Sequence, residues 1–198
     1  MSWIEDQEWE RQWWGDCTNT FAEEVKQITY AHRMGIINCP DIAHWPRYDL
    51  TNKSVIDIGG GPTSMLLKCV NSNRSVVVDP CRYPQWVLDR YKIKNIENIQ
   101  IPGENLLTLF EKDEFDEAWM YNVLQHTPNP EVIIKNAKRI AKTVRLFEWV
   151  DIPPCQGHPS ELKADLLSEW LGVEGTVEAL NENGCNTTAF YGVFNKYE

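Results

Sequence analysis

One stretch, residues 54–64, constrains the fold of this chain most strongly, and it reads S-V-I-D-I-G-G-G-P-T-S. Its first half, Ser54–Ile58, is β-branched and apolar, which is the composition of a buried strand. The three glycines that follow, residues 59–61, tolerate positive φ and let a ligand approach the backbone closely. The mostly apolar segment 63–70 then predicts a helix. Strand, glycine turn and helix form the first half of a nucleotide-type binding unit.

The alternation continues through residues 51–150 and predicts a parallel sheet that helices cover on both faces. The predicted strands are residues 54–58, 75–79, 96–101, 117–121 and 143–149. The predicted helices between them are residues 63–70, 84–92, 104–109 and 131–141. Ligands of such sheets bind beyond the carboxyl ends of the strands, so we expect the functional residues in the loops at that edge.

The two ends of the chain differ from this middle part. Residues 1–50 are rich in tryptophan and predict a helical cap. Residues 151–198 predict a helix from about residue 159 to residue 171, then an antiparallel hairpin of strands 176–180 and 187–194. A chain of 198 residues is most simply one domain. We therefore expect a single α/β domain with a cap (1–50), a core (51–150) and a C-terminal part (151–198).

The composition excludes several classes of function. The chain has 19 Lys and Arg against 29 Asp and Glu, a net charge of −10, and no basic run, which argues against extended nucleic-acid binding. No apolar stretch approaches the roughly 18 residues of a membrane span. The acidic N-terminus lacks a signal-peptide core, so we expect a cytoplasmic protein without a membrane partner.

Cysteine and histidine spacing predicts no metal site. The six cysteines form no C-x-x-C pair, and we expect free thiols in a reducing compartment. The four histidines lack the spacing of a ligand pair such as H-x-x-x-H.

Two cofactors suit the glycine turn. A dinucleotide fingerprint would use Gly59 and Gly61, with Asp79 on the ribose about twenty residues later. Asp79 suits S-adenosylmethionine (SAM) equally well, because that ligand also presents an adenosine ribose. Asp57 decides between them: a carboxylate just ahead of the glycines repels a pyrophosphate but attracts a sulfonium ligand that carries an amino group.

Four stretches together resemble the class I SAM-dependent methyltransferases. V-I-D-I-G-G-G-P-T-S is similar to their first motif, with Thr63 in place of its third glycine, and V-V-V-D-P is similar to the second. P-G-E-N-L-L resembles the adenine-binding loop, and F-D-E-A-W-M-Y-N-V-L-Q-H-T resembles the fourth strand and its turn. The opening W-W-G-D-C-T-N-T is similar to small members from environmental and phage-like sequences.

The resemblance implies a Rossmann-like, doubly wound sheet of seven strands, mostly parallel, with an antiparallel last strand. It implies SAM as cofactor and S-adenosylhomocysteine (SAH) as product. The expected cofactor-binding residues in the core are Asp57, Gly59, Gly60, Gly61, Asp79, Pro80, Glu104, Asn105 and Asn122.

The cap either packs onto the sheet or also closes the pocket. Thr20 and Glu23 match a capping box, which predicts a helix from about Phe21. Phe21, Val25 and Ile28 recur at helical spacing and predict a core-facing stripe. The polar turn between the two cap helices makes Asn19, Thr20 and Tyr30 the candidates for lining the pocket, and we expect Thr20 and Tyr30 to bind the cofactor.

The catalytic candidates are His126, Glu148 and His158, which follow or end the fourth and fifth strands. A neutral imidazole could take a proton from the methyl acceptor, and His126 is the leading candidate for this base. Each also has a structural alternative: a backbone-bonded histidine for His126, a hydrogen-bonding support for Glu148, and a helix-start residue before Pro159 for His158.

The sequence thus predicts a SAM-dependent methyltransferase that acts on an oxygen or nitrogen of a small or medium-sized acceptor. An NAD(P)-binding oxidoreductase is one alternative, although no Tyr-x-x-x-Lys pair is present. A non-catalytic SAM-binding or interaction protein is the other. The acceptor, the methylated atom and the oligomeric state stay open at this point.

Overall fold

The computed structural model describes residues 3–36, 47–182 and 185–196. In this part of the chain seven strands form one sheet: β1 (Ser54–Ile58), β2 (Arg74–Val78), β3 (Ile96–Ile99), β4 (Phe115–Tyr121), β5 (Ala141–Val150), β6 (Thr176–Glu182) and β7 (Cys185–Asn195). Their order across the sheet is β3-β2-β1-β4-β5-β7-β6. Strands β1 to β5 are parallel, and β7 runs antiparallel to both β5 and β6. The predicted α/β fold class is confirmed.

Helices cover both faces of the sheet, and they are α1 (Trp3–Trp14), α2 (Phe21–Arg33), α3 (Gln85–Ile93), α4 (Pro130–Ile140) and α5 (Ala164–Leu171). Alternating strand residues separate two buried clusters. Ile56 of β1 and Met120 of β4 join the cluster that contains residues of α4 and α5. Val55 and Trp119 join the cluster that contains residues of α2 and α3. Burial on both faces explains why these strands read as continuous apolar runs.

The predicted helix over 63–70 is wrong. Two short 3₁₀ turns, Gly61–Thr63 and Met65–Lys68, are followed by a two-residue strand, Cys69–Val70. Ser64 between the turns is extended, with ψ of 139°. The backbone N–H groups of Ser64 and Met65 donate to the hydroxyls of Tyr91 and Tyr121, at 3.1 and 3.0 Å. These tertiary hydrogen bonds satisfy two backbone groups and hold the start of the segment in a non-helical path.

Two other helices also differ from their predicted form. The helix predicted over residues 104–109 is a 3₁₀ helix, Gly103–Thr108, and the helix predicted from about residue 159 begins only at Ala164. The segment before Ala164 bonds across the fold instead: Ser160 donates from its N–H to the Gln125 carbonyl and from its hydroxyl to the Thr127 carbonyl. Helix α5 is shorter than predicted because these long-range hydrogen bonds keep the residues before Ala164 out of the helix.

The predicted core-facing stripe of α2 is also wrong. Phe21, Val25 and Ile28 are 68, 43 and 41% exposed. The buried face carries Gln27 and Tyr30 instead, because Gln27 donates to the Thr63 carbonyl at 2.7 Å and the Tyr30 ring packs 4.4 Å from that of Phe147, measured between centroids. The hydrogen bond of buried Gln27 therefore sets which face of α2 is buried, and the spacing of the apolar residues predicted the wrong face.

The capping box predicted at Thr20 does not form. The Thr20 side chain makes no cap hydrogen bond to the helix backbone. Its hydroxyl donates to the Glu24 carboxylate at 2.8 Å, and Glu24 also approaches the ammonium of Lys68 at 3.2 Å. The threonine therefore joins a side-chain network that ties α2 to the segment after the glycine turn.

Residues 3–36, 47–182 and 185–196 also bear on the expectations for membrane spans, metal ligands and cysteines. None of the helices in this part is long and apolar enough to cross a membrane. No group of three or more potential metal ligands occurs among these residues. Cys17, Cys69, Cys81 and Cys155 are free thiols, whereas Cys39 and His44 lie outside the described residues.

Candidate active site

The glycine turn after β1 is held in a conformation that favours glycine, because Gly59 and Gly61 both have positive φ. Gly59 has φ of +74°, and a Cβ built there would lie 2.0 Å from Cγ2 of Val123. A Cβ on Gly60 would lie 2.8 Å from Oδ2 of Asp57. Any larger residue at either position would collide with the turn after β4 or with the acid in β1. The glycines therefore let the backbone of the turn lie directly against the side chains of Val123 and Asp57.

Asp57 is buried at the centre of this turn. Its Oδ2 accepts hydrogen bonds from the hydroxyls of Ser64 and Tyr121. Its Oδ1 is buried and has no hydrogen-bond partner among the described residues. Burial raises the pKa of Asp57 to about 7, against the lowering effect of the two hydroxyls, and the charge of Asp79 raises it further. A buried acceptor without a partner is costly, so this atom is suited to an incoming donor.

Asp79 lies beside the same turn at the end of β2. Its carboxylate accepts from the backbone N–H of Gly61 at 3.0 Å, from that of Cys81 at 2.9 Å, and from the Tyr83 hydroxyl at 3.0 Å. Burial raises the pKa of Asp79 to about 6 despite these bonds, and the charge of Glu10 adds to the rise. Two carboxylates thus approach the glycine turn from two neighbouring strands.

The donor set of this turn fits a cationic cofactor. The unpartnered Asp57 oxygen and the Asp79 carboxylate create negative potential where a ligand would approach the glycines. A sulfonium or ammonium group would relieve the cost of burying these charges, whereas a pyrophosphate would increase it. The carboxylates beside the turn therefore favour the binding of SAM and disfavour that of a dinucleotide.

The turn after β4 depends on Glu148. Asn122 has φ of +53°, and the next two backbone N–H groups, of Val123 and Leu124, donate to Oε1 of Glu148 at 3.0 and 3.1 Å. Glu148 is fully buried, and burial raises its pKa to about 7 against the effect of these backbone donors. Its carboxylate is occupied by the backbone, so the geometry favours the supporting role over direct contact with an acceptor.

The two predicted catalytic histidines lie side by side. The ring centroids of His126 and His158 are 4.3 Å apart, and the rings meet edge to face. Nδ1 of His126 lies 3.3 Å from a carboxylate oxygen of Glu10, and Nδ1 of His158 lies 3.4 Å from Sγ of Cys155. Sequence reasoning placed both histidines at the same edge of the sheet but had no signal for Glu10, which lies 116 residues before His126.

The environments of the two histidines differ. Burial lowers the pKa of His126, but the contact with Glu10 and the charges of Glu10 and Glu148 outweigh it and leave the pKa raised. Burial and the neighbouring charge of His126 lower the pKa of His158. Of the two rings, His126 therefore holds a proton more readily, and His158 more readily stays neutral.

Helix α1 crosses this edge of the sheet. Gln7 accepts from the Cys81 thiol at 3.2 Å, and the Trp14 ring lies 3.7 Å from the place where a Gly61 Cβ would be. At the other side, a Cβ built on Gly157 would lie 2.2 Å from the Trp9 ring. The helix thus spans from the end of β2 to the loop after β5 and covers the region between them.

A comparison with known protein families identifies the central part of the chain. Residues 56–144, which run from β1 into β5, match the family model described as the methyltransferase domain. This part of the chain is a methyltransferase domain. The methyltransferase domain that the sequence motifs indicated is confirmed. A search of curated proteins found no match to the methyltransferase.

Solved structures share the fold of this methyltransferase at low sequence identity. The 1,6-didemethyltoxoflavin-N1-methyltransferase of Burkholderia thailandensis, crystallised with its acceptor and SAH, has a TM-score of 0.62 at 14% identity over 97% of this chain and 87% of its own. Magnesium protoporphyrin IX methyltransferase of Synechocystis PCC 6803, crystallised with SAM, has a TM-score of 0.53 at 15% identity over 72% and 70%. The [4+2]-cyclase SpnF has a TM-score of 0.58 at 14% identity over 80% and 60%.

The remaining predicted site residues of the methyltransferase lie in two places. Pro80 follows Asp79, and Glu104 and Asn105 begin the 3₁₀ helix after β3, where Asn136 donates to the Glu104 carbonyl at 2.9 Å. These three are at the same edge of the sheet as the glycine turn. Tyr30, by contrast, packs in the core against Phe147. Thr20 and Tyr30 stay predictions as cofactor contacts, and Ser64, Tyr83 and Tyr121 are site residues that the motifs did not reveal.

Proposed function

We propose that this methyltransferase moves the methyl group of SAM to an oxygen or nitrogen of a small or medium-sized acceptor. One observation carries the cofactor assignment: the buried Asp57 oxygen without a partner, beside Asp79, at a turn whose glycines exclude side chains. When bound, SAM supplies a methyl group that is already activated for displacement. The protein then has to bind, orient and exclude water.

The residues of the turn provide binding and orientation. Asp79 is the ribose ligand in this proposal, and its present bond to the Tyr83 hydroxyl is the contact that a ribose hydroxyl would replace or share. Asp57 balances the positive charge of the cofactor from inside the sheet. Glu148 holds the turn of Asn122 beside them. Helix α1 excludes water from the edge at which the acceptor would react.

His158 is the better base in this arrangement, with His126 as its neighbour. The lowered pKa of His158 keeps its ring neutral near pH 7, whereas that of His126 is raised by Glu10. In the proposed step the O–H or N–H bond of the acceptor breaks, and a new N–H bond forms on His158. Environments that separate the pKa values of two adjacent groups are typical of acid–base pairs.

The acceptor is proposed to be a small molecule. The net charge of −10 disfavours extended contact with nucleic acid. The Burkholderia and Synechocystis structures described above belong to methyltransferases whose names specify small-molecule acceptors. A cytoplasmic location, expected from the sequence, stays a prediction.

Calorimetric titration tests the cofactor. SAM, SAH and NADH are titrated into the wild-type protein, the Asp79→Ala variant and the Asp89→Ala variant, in which an exposed carboxylate on α3 is removed instead. We expect both sulfur ligands to bind, Asp79→Ala to weaken them at least tenfold, and Asp89→Ala to leave them unchanged. Binding of NADH alone would overturn the proposal. Transfer of a radiolabelled methyl group to members of a small-molecule panel then separates an enzyme from a protein that only binds SAM.

A further inference from the structure

Helix α1 brings a carboxylate into the histidine pair. One oxygen of Glu10 accepts from the indole N–H of Trp14 at 2.8 Å, which fixes the side chain on the inner face of the helix. The other oxygen faces Nδ1 of His126 at 3.3 Å. Both of these facing atoms are buried, and neither has an aligned hydrogen-bond partner among the described residues, so the contact is a close approach that becomes an ion pair when His126 is protonated.

The loop that carries His158 is docked on the same helix. Asp6 of α1 accepts from the backbone N–H of Gly157 at 3.3 Å, and the Trp9 ring packs against that glycine. Within the loop, Cys155 and His158 exchange two backbone hydrogen bonds of 3.0 Å. Helix α1 therefore sets the position of both histidines at once, one through Glu10 and the other through the loop.

We propose that Glu10 is a positioning residue for the reaction: it holds His126 as the cationic member of the pair and so reserves His158 for the acceptor's proton. This inference rests on the proposed function, because it names the group that prepares the base. Glu10 itself does not touch the acceptor in this proposal. Its effect passes through the His126 ring, which lies edge to face against that of His158.

The charged groups around His126 support the proposal. Glu10 faces it from α1, Glu148 faces it from β5, and His158 faces it from the loop beyond β5. The contact and charge of Glu10 are the largest effects that raise the pKa of His126, and they precede that of Glu148. A protonated His126 in turn lowers the pKa of His158, and this effect is larger than the direct effect by which the Glu10 charge raises it. Removal of the Glu10 charge should therefore move the two pKa values in opposite directions.

The arrangement also makes the base depend on α1. If the helix leaves the edge of the sheet, Glu10 separates from His126 and the loop loses its contacts with Asp6 and Trp9. The two histidines would then lose the difference between their environments. The difference that reserves His158 for the acceptor's proton would therefore last only while the helix covers the site.

Histidine-ring NMR tests this proposal without any acceptor. Two-bond ¹H–¹⁵N spectra are recorded from pH 4.5 to 9 for the wild type, Glu10→Gln and Glu8→Gln, with His126→Gln and His158→Gln for assignment. We expect His126 to titrate above His158 in the wild type. Glu10→Gln should lower the pKa of His126 by about one unit or more and raise that of His158. Glu8 is exposed and pairs with Arg11, so Glu8→Gln should change neither.

The outcomes separate this inference from the proposed function. If His158 titrates above His126 in the wild type, the inference is wrong whether or not a variant folds. It is equally wrong if folded Glu10→Gln leaves both titrations unchanged. SAH binding, measured by calorimetry on the same samples, reports on the proposed function independently, because loss of cofactor binding does not change the expected order of the histidines.

Discussion

The backbone N–H of Gly61 donates a hydrogen bond of 3.0 Å to the carboxylate of Asp79, 18 residues later in the chain. The bond joins the glycine turn after β1 to the end of β2, which are the two stretches most similar to methyltransferase motifs. The acid expected to hold the ribose thus also fixes the turn expected to hold the rest of the cofactor. Several predictions of the site chemistry depend on this shared geometry of turn and carboxylates.

Asp57→Asn should stabilise the protein without cofactor and weaken its binding of SAM. The folded-state pKa of Asp57 is raised to about 7, so folding favours the protonated acid and the stability falls as the pH rises from about 4 to about 7. Asparagine carries no charge and can still accept from Ser64 and Tyr121. At pH 8 we expect a gain of about 1–3 kcal/mol in the free energy of unfolding.

Urea unfolding at pH 8 and pH 5 checks this gain. The difference between Asp57→Asn and the wild type should shrink at pH 5, where most Asp57 is already protonated. Asp89→Asn removes an exposed acid and serves as the control. A folded Asp57→Asn variant that is less stable than the wild type at pH 8, or that binds SAM normally, would contradict the assignment.

The affinity for SAM should rise with pH between 5.5 and 7.5. Burial raises the pKa of Asp57 to about 7 and that of Asp79 to about 6, and a cationic ligand prefers their ionised forms. Below those pKa values, an ionisation required for binding changes the affinity by roughly tenfold per pH unit. SAH lacks the sulfonium charge, so its affinity should rise less. Calorimetry with both ligands across this range decides, and equal slopes would refute the role of the carboxylates.

Gly59→Ala should destabilise the fold much more than Gly172→Ala. Both glycines have nearly the same positive φ, +74° and +78°. The Cβ of an alanine at 172 would meet only Nζ of Lys138 at 3.5 Å, whereas one at 59 would lie 2.0 Å from Val123. We expect about 1–2 kcal/mol for Gly172→Ala from backbone strain alone. The additional loss in Gly59→Ala, measured by denaturant unfolding, reports the collision, and equal losses would show that the turn has room.

Glu117→Gln should destabilise the protein at neutral pH by about 3–5 kcal/mol, because it breaks a buried ion pair. Glu117 accepts from Arg145 at 2.7 Å and from the Trp119 indole at 2.8 Å. Burial raises its pKa, but Arg145, Lys53 and Trp119 outweigh burial and lower it to about 2. The stability that this group contributes is therefore present above its unfolded pKa of about 4.5 and is lost as the pH falls towards 2.

Thermal unfolding at pH 7 and pH 3 measures the Glu117 effect. The penalty of Glu117→Gln should be smaller at pH 3, where the wild type has already lost part of this contribution. Glu97→Gln, which alters the more exposed pair with Arg74, is the matched control and should cost about 1 kcal/mol or less. A penalty that does not change with pH would mean that packing, rather than charge, accounts for it.

Strand positions were predictable because burial on both faces leaves a strong local pattern. The predicted strand 54–58 coincides with β1, and the others differ from the observed strands by a few residues at their ends. The glycine turn and its two acids were also predictable, because only particular residue types suit such a turn. Their meeting at one edge follows from the parallel sheet.

Helices and side-chain partners were less predictable, because distant residues determine them. The hydroxyls of Tyr91 and Tyr121 accept hydrogen bonds from the backbone N–H groups of Ser64 and Met65, in a segment that forms 3₁₀ turns instead of the predicted helix. Gln27, rather than the apolar stripe, sets the buried face of α2 through its bond to Thr63. Neither contact leaves a periodic signal in the local sequence.

The sequence by itself determined the order of strands and helices, the glycine turn and the acids Asp57 and Asp79, because these depend on local residue types. Only the tertiary structure decided how the chemistry is arranged. It placed Glu10 against His126 and set His126 against His158, and it occupied the Glu148 carboxylate with backbone donors. These contacts join residues far apart in the chain, and their protonation depends on burial and neighbouring charge, which exist only after the chain has folded.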